Sequence, residues 1–426
     1  MESDTLVGLS MGTTRVSVIV AEKDPRYQPD SIHVIGMGCS PSRGLSKGVI
    51  VNINEAAQSV TRAFREAENV TARRIESAVV AFNAWDVKSV TTEGRVSVGG
   101  REMKQIGTSD LDRAIGDANN KLEASYNTIP VHTIPVRYEL DGRIVEEPLN
   151  MTGSSLLELM LQTVQVPARY VNDVITCVRS AGVEVEGIVL KPLASSLGSA
   201  TEEEMHVGCI SISIGGGSTG VVLYQGGRPF RIMSIPIGGY HITSDLASVL
   251  HISLRDAESL KKRVFVDDEE ALKKDGVDID LAIQVVGARV EELFMDYVKT
   301  ALSECDPQSY PGGVILSGGV SNTPGIIEML EDILGMHVRV GTPLYTMPPG
   351  REDPSYVSAA GLLRYLSYRQ RDGYLFIPPE RLPNVASGTS YGGSDDGGHS
   401  SHIPDLSGKN IKSALGNLLE RLGDLF

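Results

Sequence analysis

Leu6-Val7-Gly8-Leu9-Ser10-Met11-Gly12-Thr13-Thr14-Arg15-Val16-Ser17-Val18-Ile19-Val20 reads as two apolar runs joined by a Gly-Thr-Thr turn, the pattern of a β-hairpin. Further along, Ile210-Ser211-Ile212-Ser213-Ile214-Gly215-Gly216-Gly217-Ser218-Thr219-Gly220-Val221-Val222-Leu223-Tyr224 repeats the order of strand, Gly-rich turn with hydroxyls, and strand. Two such hairpins predict a duplicated α/β architecture whose halves face each other across a cleft. Glycine has no Cβ to keep an anion from backbone N–H groups, and the neighbouring hydroxyls can donate as well. A third turn, Ser317-Gly318-Gly319, follows the strand-like run from Val314 and precedes a helix from Pro324 to Leu334. One such turn alone fits an ordinary tight hairpin in a Gly-rich chain; three at these positions point to phosphate.

Working outward, Asn54 to Glu68 has helical spacing in Ala56, Ala57, Val60, Ala63, Phe64 and Ala67, and Glu76 to Phe82 reads as a buried strand. Residues 84 to 165 change character. Val87 to Val90 and Gly94 to Val98 read as two strands, Ser109 to Ala124 as a polar helix, and Thr133 to Leu140 as a strand, together an inserted α+β module. Arg255 to Lys262 and Leu281 to Leu302 have helical spacing. Ala386 to Gly408 is mostly Gly, Ser, Asp and His, a flexible linker, and a periodic segment from Lys409 to Phe426 follows it.

The chain has 426 residues, room for roughly three domains of about 150 residues and a sizeable core. With 39 basic and 54 acidic residues its net charge is -15, which excludes a basic protein that coats nucleic acid. The four cysteines, Cys39, Cys177, Cys209 and Cys305, lie far apart without a C-x-x-C pair. They indicate neither a zinc site nor a redox pair, and a reducing cytoplasm fits. Met1-Glu2-Ser3-Asp4 has no basic n-region and no run of about eighteen apolar residues occurs, so neither a signal peptide nor a membrane span is expected.

These hairpins resemble the actin and Hsp70 superfamily, and more closely the FtsA family of bacterial cell-division proteins. The resemblance rests on Val7 to Val16, Pro41-Ser42-Arg43-Gly44-Leu45-Ser46-Lys47-Gly48-Val49, Gly182 to Val185 and Pro192-Leu193-Ala194-Ser195. It continues through Ser213 to Gly220, Ile235-Pro236-Ile237-Gly238-Gly239-Tyr240-His241-Ile242-Thr243, and Ser317-Gly318-Gly319 with Pro324-Gly325, covering most of residues 5 to 380. It implies an actin-like (ribonuclease H-like) two-lobed α/β fold with an inserted α+β subdomain and a C-terminal amphipathic helix. The expected division is lobe 1 core at 1–83, 166–197 and 352–385, the inserted SHS2-like subdomain at 84–165, lobe 2 core at 198–241 and 309–351, and its second subdomain at 242–308. A linker at 386–408 and a membrane-targeting helix at 409–426 complete it.

The resemblance implies ATP in the cleft. Gly12, Thr13 and Thr14 form the first phosphate loop, Gly215, Gly216, Gly217, Ser218 and Thr219 the second, and Gly318 and Gly319 the adenosine loop. Glu258, Lys261 and Lys262 match the family's Glu-x-x-Lys-Lys/Arg contact to adenosine; a solvated helix face with intrahelical ion pairs is the other reading. The departures bear on chemistry. Relatives that hydrolyse ATP carry an acidic residue where this chain has Ser10, Asp where it has Ser213, Asp in place of Gly220, and often Glu in place of Lys191. Magnesium is held in such sites by carboxylates, their waters and the phosphates, and an attacking water loses the same groups. The expectation is therefore no competent ATPase and no magnesium, hence not an enzyme. Lys191 either supplies a point charge to phosphate without magnesium, or the cleft is a nucleotide-free relic.

At about 100° per residue, Ile411, Ala414, Leu415, Leu418, Leu419, Leu422, Leu425 and Phe426 fall within an arc of roughly 140°, with Lys412 and Arg421 near its edges. A helix docked on the protein's own core is the plain alternative. The linker, which spans on the order of 25 to 30 Å, and the family's amphipathic membrane helix favour the bilayer. The body carries the acidic excess, so attachment to anionic lipid falls to this tail. His399 and His402, without other ligands, read as solvated linker residues.

Arg289 and Glu292 match charged positions with which the family holds the C-terminal peptide of FtsZ, the tubulin-like division protein; a surface ion pair without a partner is the alternative. Taken together, the resemblance implies a filament-forming, peripheral membrane adaptor on the cytoplasmic face of the plasma membrane at the division site. Its partners would be FtsZ, further copies of itself, other divisome proteins and anionic lipid, with no nucleic acid. The alternatives are an ATP-hydrolysing enzyme of the actin/Hsp70 type and a pilus-assembly actin-like adaptor.

Overall fold

Near-continuous runs of Val, Ile and Leu build strands covered on both faces. In the computed structural model, which describes residues 5–23, 32–100, 103–122, 127–263, 278–299, 302, 306–323 and 325–368, β1 (Thr5–Met11) and β2 (Arg15–Lys23) form the first hairpin, with Ser10 opposite Ser17. Leu9, Val18 and Val20 have no exposed surface. β3 (Ile32–Pro41) pairs with β2, and a small ribbon of β4 (Leu45–Ser46) and β5 (Val49–Ile50) leads to α1 (Ile53–Thr71). Asn52 caps α1 by accepting from the Glu55 N–H, and the helix ends where Ala72 turns left-handed. β6 (Ser77–Phe82) returns parallel to β1.

The inserted subdomain then leaves lobe 1. It contains β7 (Lys88–Ser97), β8 (Lys104–Gln105), α2 (Thr108–Asn120), β9 (Thr128–Leu140), β10 (Arg143–Val145), β11 (Thr152–Gly153) and β12 (Leu156–Pro167). Its main sheet runs β10-β9-β12-β7, and α2 covers it over a separate core that includes Ile106, Ala114, Leu157 and Leu161. The two short strands expected at Val87–Val90 and Gly94–Val98 are one strand. Gly94 is no break: a Cβ there would lie 2.0 Å from the Ala114 carbonyl, so the glycine lets α2 approach.

The chain re-enters lobe 1 through α3 (Ala168–Ser180), β13 (Glu184–Leu190) and α4 (Lys191–Ser199), and α5 (Glu202–Val207) leads into lobe 2. There follow β14 (Cys209–Ile214), β15 (Thr219–Gln225), β16 (Arg228–Ile235), α6 (Gly239–Leu250), α7 (Leu254–Arg263), α8 (Ile279–Glu292), β17 (Val314–Ser317), α9 (Ile326–Leu334), β18 (Val338–Val340) and α10 (Val357–Tyr368). The helix expected from Leu281 to Leu302 is α-helical only to Glu292, and a π-helical turn occupies Leu293–Val298.

The duplication is explicit in the sheets. Lobe 1 has the order β3-β2-β1-β6-β13 and lobe 2 the order β16-β15-β14-β17-β18, each three antiparallel strands followed by two parallel ones. α4 and α10 pack in close contact at two glycines: a Cβ on Gly361 would stand 1.7 Å from the Ala194 carbonyl, and one on Gly198 would stand 1.9 Å from that of Val357. This pair fixes the start of α4, where Lys191 stands. Among the described residues no helix is long and apolar enough to cross a membrane. The linker at 386–408 and the tail with Ile411, Lys412, Leu415, Leu418, Leu419, Arg421, Leu422, Leu425 and Phe426 lie outside the described residues.

Candidate functional site

The two hairpin turns meet tip to tip. Gly12 N–H donates to the Arg15 carbonyl (3.0 Å) to close the first turn, and Gly215 N–H donates to the Ser218 carbonyl (2.9 Å) to close the second. A Cβ on Gly216 would lie 2.4 Å from Thr14 Cγ2, so this approach needs glycine while threonine stands at position 14. Among the described residues the amides of Thr13, Thr14 and Gly216 have no acceptor, which leaves donors at the floor of the cleft.

A cavity of about 680 Å³ opens above the turns. Gly12, Thr13, Thr14, Lys191, Gly215, Gly216, Glu258, Lys261, Lys262, Gly318 and Gly319 all line it, so residues far apart in sequence form one site. Gly217 and Ser218 line a narrow recess beneath it. Thr219 does not join them: it is fully buried and donates to the Ile237 carbonyl (2.8 Å), which makes it a brace inside lobe 2.

Lys191 sits at the cavity floor, where its Nζ has the Met11 carbonyl as a hydrogen-bond acceptor at 3.4 Å. The side chain keeps some surface toward the cavity while protein encloses the ammonium on its other sides. That burial, with the Arg15 guanidinium, lowers its pKa to about 8. At the positions of the missing carboxylates, Ser10 shares a hydrogen bond with Ser358 of α10 (2.8 Å), and Ser213 faces the cavity as a hydroxyl. Gly220 has Pro192 against it: a Cβ there would meet the proline ring at 2.7 Å, so no side chain fits.

On α7, Glu258 receives hydrogen bonds from Lys261 (2.6 Å) and Thr243 (2.6 Å), and pairs with Lys262 at 3.2 Å. Burial opposes its charge, but the bonds from Lys261 and Thr243 outweigh that and lower its pKa. Lys261 also donates to the Gly239 carbonyl (3.1 Å) and to Thr243 Oγ1 (2.9 Å), so all three of its donors are engaged and two of them tie α7 to α6. The ion pairs of this trio are intrahelical and border the cavity, and Lys261, with a side chain only 14% exposed, is not part of a solvated face.

Arg15, absent from the sequence-based set, lines the cavity beside the first turn. It donates to the Tyr356 hydroxyl (2.6 Å) and to Ser355, and stacks on the Tyr356 ring at 3.8 Å. A basic residue directly after the Gly-Thr-Thr turn was the available signal. Asn83, which spans the two lobes, was also missed; only its place at the end of an apolar strand marked it.

The cavity is bordered by the cations Arg15, Lys191, Lys261 and Lys262 and by the acids Glu258 and Asp353. Glu258 is engaged as described, and Asp353 accepts from the Ser355 N–H at 2.8 Å. Such a lining fits a polyphosphate, with Lys191 and the loop amides as its donors. For magnesium, the described floor offers hydroxyls at Ser10 and Ser213 and an ammonium at Lys191, and the two carboxylates of the lining are already hydrogen-bonded.

Arg289 and Glu292 do pair, at 2.8 Å, yet away from an open surface. Arg289 is nine-tenths buried and its guanidinium also grips both oxygens of Asp245 on α6, at 2.5 and 3.0 Å. The alternative of a surface ion pair without a partner gives way to a part-buried triad around Arg289, because α6 and α8 pack with these charges between them.

Comparison with known proteins adds the following. The profile described as "Cell division protein FtsA" matches residues 210–361, and that described as "SHS2 domain inserted in FTSA" matches residues 85–164. The chain is 31% identical to the cell division protein FtsA of Bacillus subtilis over 378 residues, covering 85% of this chain and 83% of that protein. It is 31% identical to the FtsA of Pseudomonas aeruginosa over 403 residues, covering 91% and 93%. Among solved structures, a chain of the "PilM-PilN type IV pilus biogenesis complex" is similar with a TM-score of 0.59 at 19% identity, covering 84% of this chain and 98% of that one. MreB5 of Spiroplasma citri bound to ADP is similar with a TM-score of 0.51 at 13% identity, covering 87% and 99%. These two likenesses establish the actin-like fold alone.

Proposed function

The chain belongs to the FtsA family of cell-division proteins, and from that membership we propose that it is a non-hydrolysing, self-associating adaptor that tethers FtsZ to the cytoplasmic face of the plasma membrane. The observation that carries the non-hydrolysing part is the cleft floor, where Ser10, Ser213 and Lys191 stand in place of carboxylates. Among the described residues the floor itself presents hydroxyls and an ammonium rather than a carboxylate base, so a bound nucleotide would be held rather than cleaved. ATP, when bound, supplies a polyanion that both lobes can grip. Lys191 would meet its phosphates as a point charge, the amides of Thr13, Thr14 and Gly216 would donate to them, and α7 would border the adenosine.

Support for the adaptor role comes from outside the cleft. The sequence from Lys409 to Phe426 has the apolar arc and basic edges of an interfacial helix. Weak single anchors gain strength when many act on one filament. Arg289 and Glu292 match the charged positions that the resemblance assigns to the FtsZ peptide, and the burial of Arg289 favours a role in supporting a peptide surface formed by α6 and α8 rather than in its outermost contacts. Fold likeness to the pilus complex is outweighed by 31% identity to division proteins and by the matched SHS2 insert.

Co-sedimentation with anionic vesicles tests this reading. FtsZ should pellet with vesicles only when the full chain is present, and should stay in solution with a chain that ends at Gly408. Equal pelleting with the shortened chain would defeat the proposed anchor.

A further inference from the structure

We propose that Asn83 is an inter-lobe latch that holds the cleft closed without a ligand and sets the position of the second phosphate loop. Asn83 follows the last residue of β6 in lobe 1 and is only 4% exposed. Its Nδ2 donates to Ser218 Oγ of the second loop at 2.6 Å, while its Oδ1 accepts from the Ser234 hydroxyl of β16 at 2.9 Å. Ser234 lies opposite Gly220 across the β15–β16 pair. One lobe 1 side chain therefore grips both the turn that leads into β15 and the neighbouring strand β16, using both the donor and the acceptor of its amide.

The surroundings make this a closed joint rather than a chance contact. The β4–β5 ribbon packs over it: a Cβ on Gly48 would lie 2.6 Å from Asn83 Nδ2 and 2.9 Å from Ser218 Oγ. A Cβ on Gly217 would lie 2.9 Å from Lys47 Cα and 2.5 Å from Thr13 Oγ1. Asn83 itself is almost wholly enclosed, and hydrogen bonds made from such a site are stronger than in water. The far end of β16 is fastened as well, since Arg228 donates to the Pro135 carbonyl of the inserted subdomain at 2.9 Å. β16 is thus held between lobe 1 and the inserted subdomain. In an actin-like fold a nucleotide can bridge the lobes; here a side-chain amide does so, independently of whether the cavity above it takes an anion.

The geometry supplies its own probe. A Cβ at position 216 would stand 3.5 Å from Thr14 Cβ, within the range for a disulfide. The full chain carrying Thr14→Cys and Gly216→Cys, free of nucleotide and in EDTA, is oxidised with diamide, and the bond is identified by peptide mapping. The expected result is rapid formation of the 14–216 disulfide, slowed about tenfold when Asn83→Ala is added and slowed less by Ser234→Ala. Circular dichroism melting shows whether each variant is folded; if Asn83→Ala does not fold, the rate of Ser234→Ala decides. An unchanged rate in the deciding variant, or a disulfide that forms only after ATP is added, overturns the latch. Because the measurement is made without ligand, failure of nucleotide binding does not affect it.

Discussion

Lys191 Nζ fills the space over Gly12: a Cβ on that glycine would stand 2.7 Å from the ammonium and 2.7 Å from the Arg15 carbonyl. The first turn and the cleft lysine therefore fit only together. Gly12→Ala should displace Lys191 or open the turn, lower stability by about 1–3 kcal/mol and weaken ATP binding about tenfold or more. Thermal unfolding and calorimetry read the two effects; unchanged affinity would show that Lys191 does not hold phosphate.

The pH dependence of binding follows from the same lysine. Burial, with Arg15, lowers its pKa to about 8, so a phosphate that pairs with it needs pH below that value to find it charged. Affinity should be level between about pH 7 and 8 and then fall by up to about tenfold per pH unit. For folding, the cost of burying the charge is present in full below about pH 8 and is relieved as pH rises toward the ordinary value of 10.5. A binding profile without this fall, or one with the same fall in Lys191→Ala, contradicts the assignment.

Asp245 and Arg289 make a further prediction. Asp245→Ala would leave a nine-tenths buried guanidinium with Glu292 alone. It should destabilise the protein by about 3–5 kcal/mol, whereas Glu292→Gln, which keeps the Asp245 contact, should cost less. Chemical denaturation measures both, and Glu292→Gln is then the variant in which FtsZ-peptide binding can be judged in a folded protein.

In the inserted subdomain, Asp110 accepts from the Gly107 N–H and from Lys104 and Arg113, which lowers its pKa to about 2. Its side chain has no exposed surface. The stability it confers is present above the ordinary value of 3.8 and is lost as pH falls through 2. Asp110→Asn should remove roughly 2 kcal/mol at neutral pH and flatten the acid limb of unfolding. An unaltered acid limb would show that the carboxylate is not responsible.

The hairpins, the duplication and the inserted module were legible because each rests on local periodicity and turn chemistry. Gly94 misled because a glycine in a strand can mark either a break or a close approach, and only the position of α2 distinguishes them. Most cleft residues followed from the family resemblance, while Arg15 and Asn83 did not, since their roles depend on Tyr356 and Ser218, hundreds or scores of positions away. Thr219 looked like its neighbours in the loop, but strand alternation turns it inward. Arg289 and Glu292 were placed correctly on one helix face; that α6 would cover this face with Asp245 was a tertiary fact.

The most direct measurement is calorimetric titration of the full chain with ATP in EDTA and again with magnesium at neutral pH. The account predicts saturable binding in EDTA that magnesium does not strengthen, because Lys191 stands where metal ligands would be. Binding only with magnesium, or no binding under either condition, would contradict it.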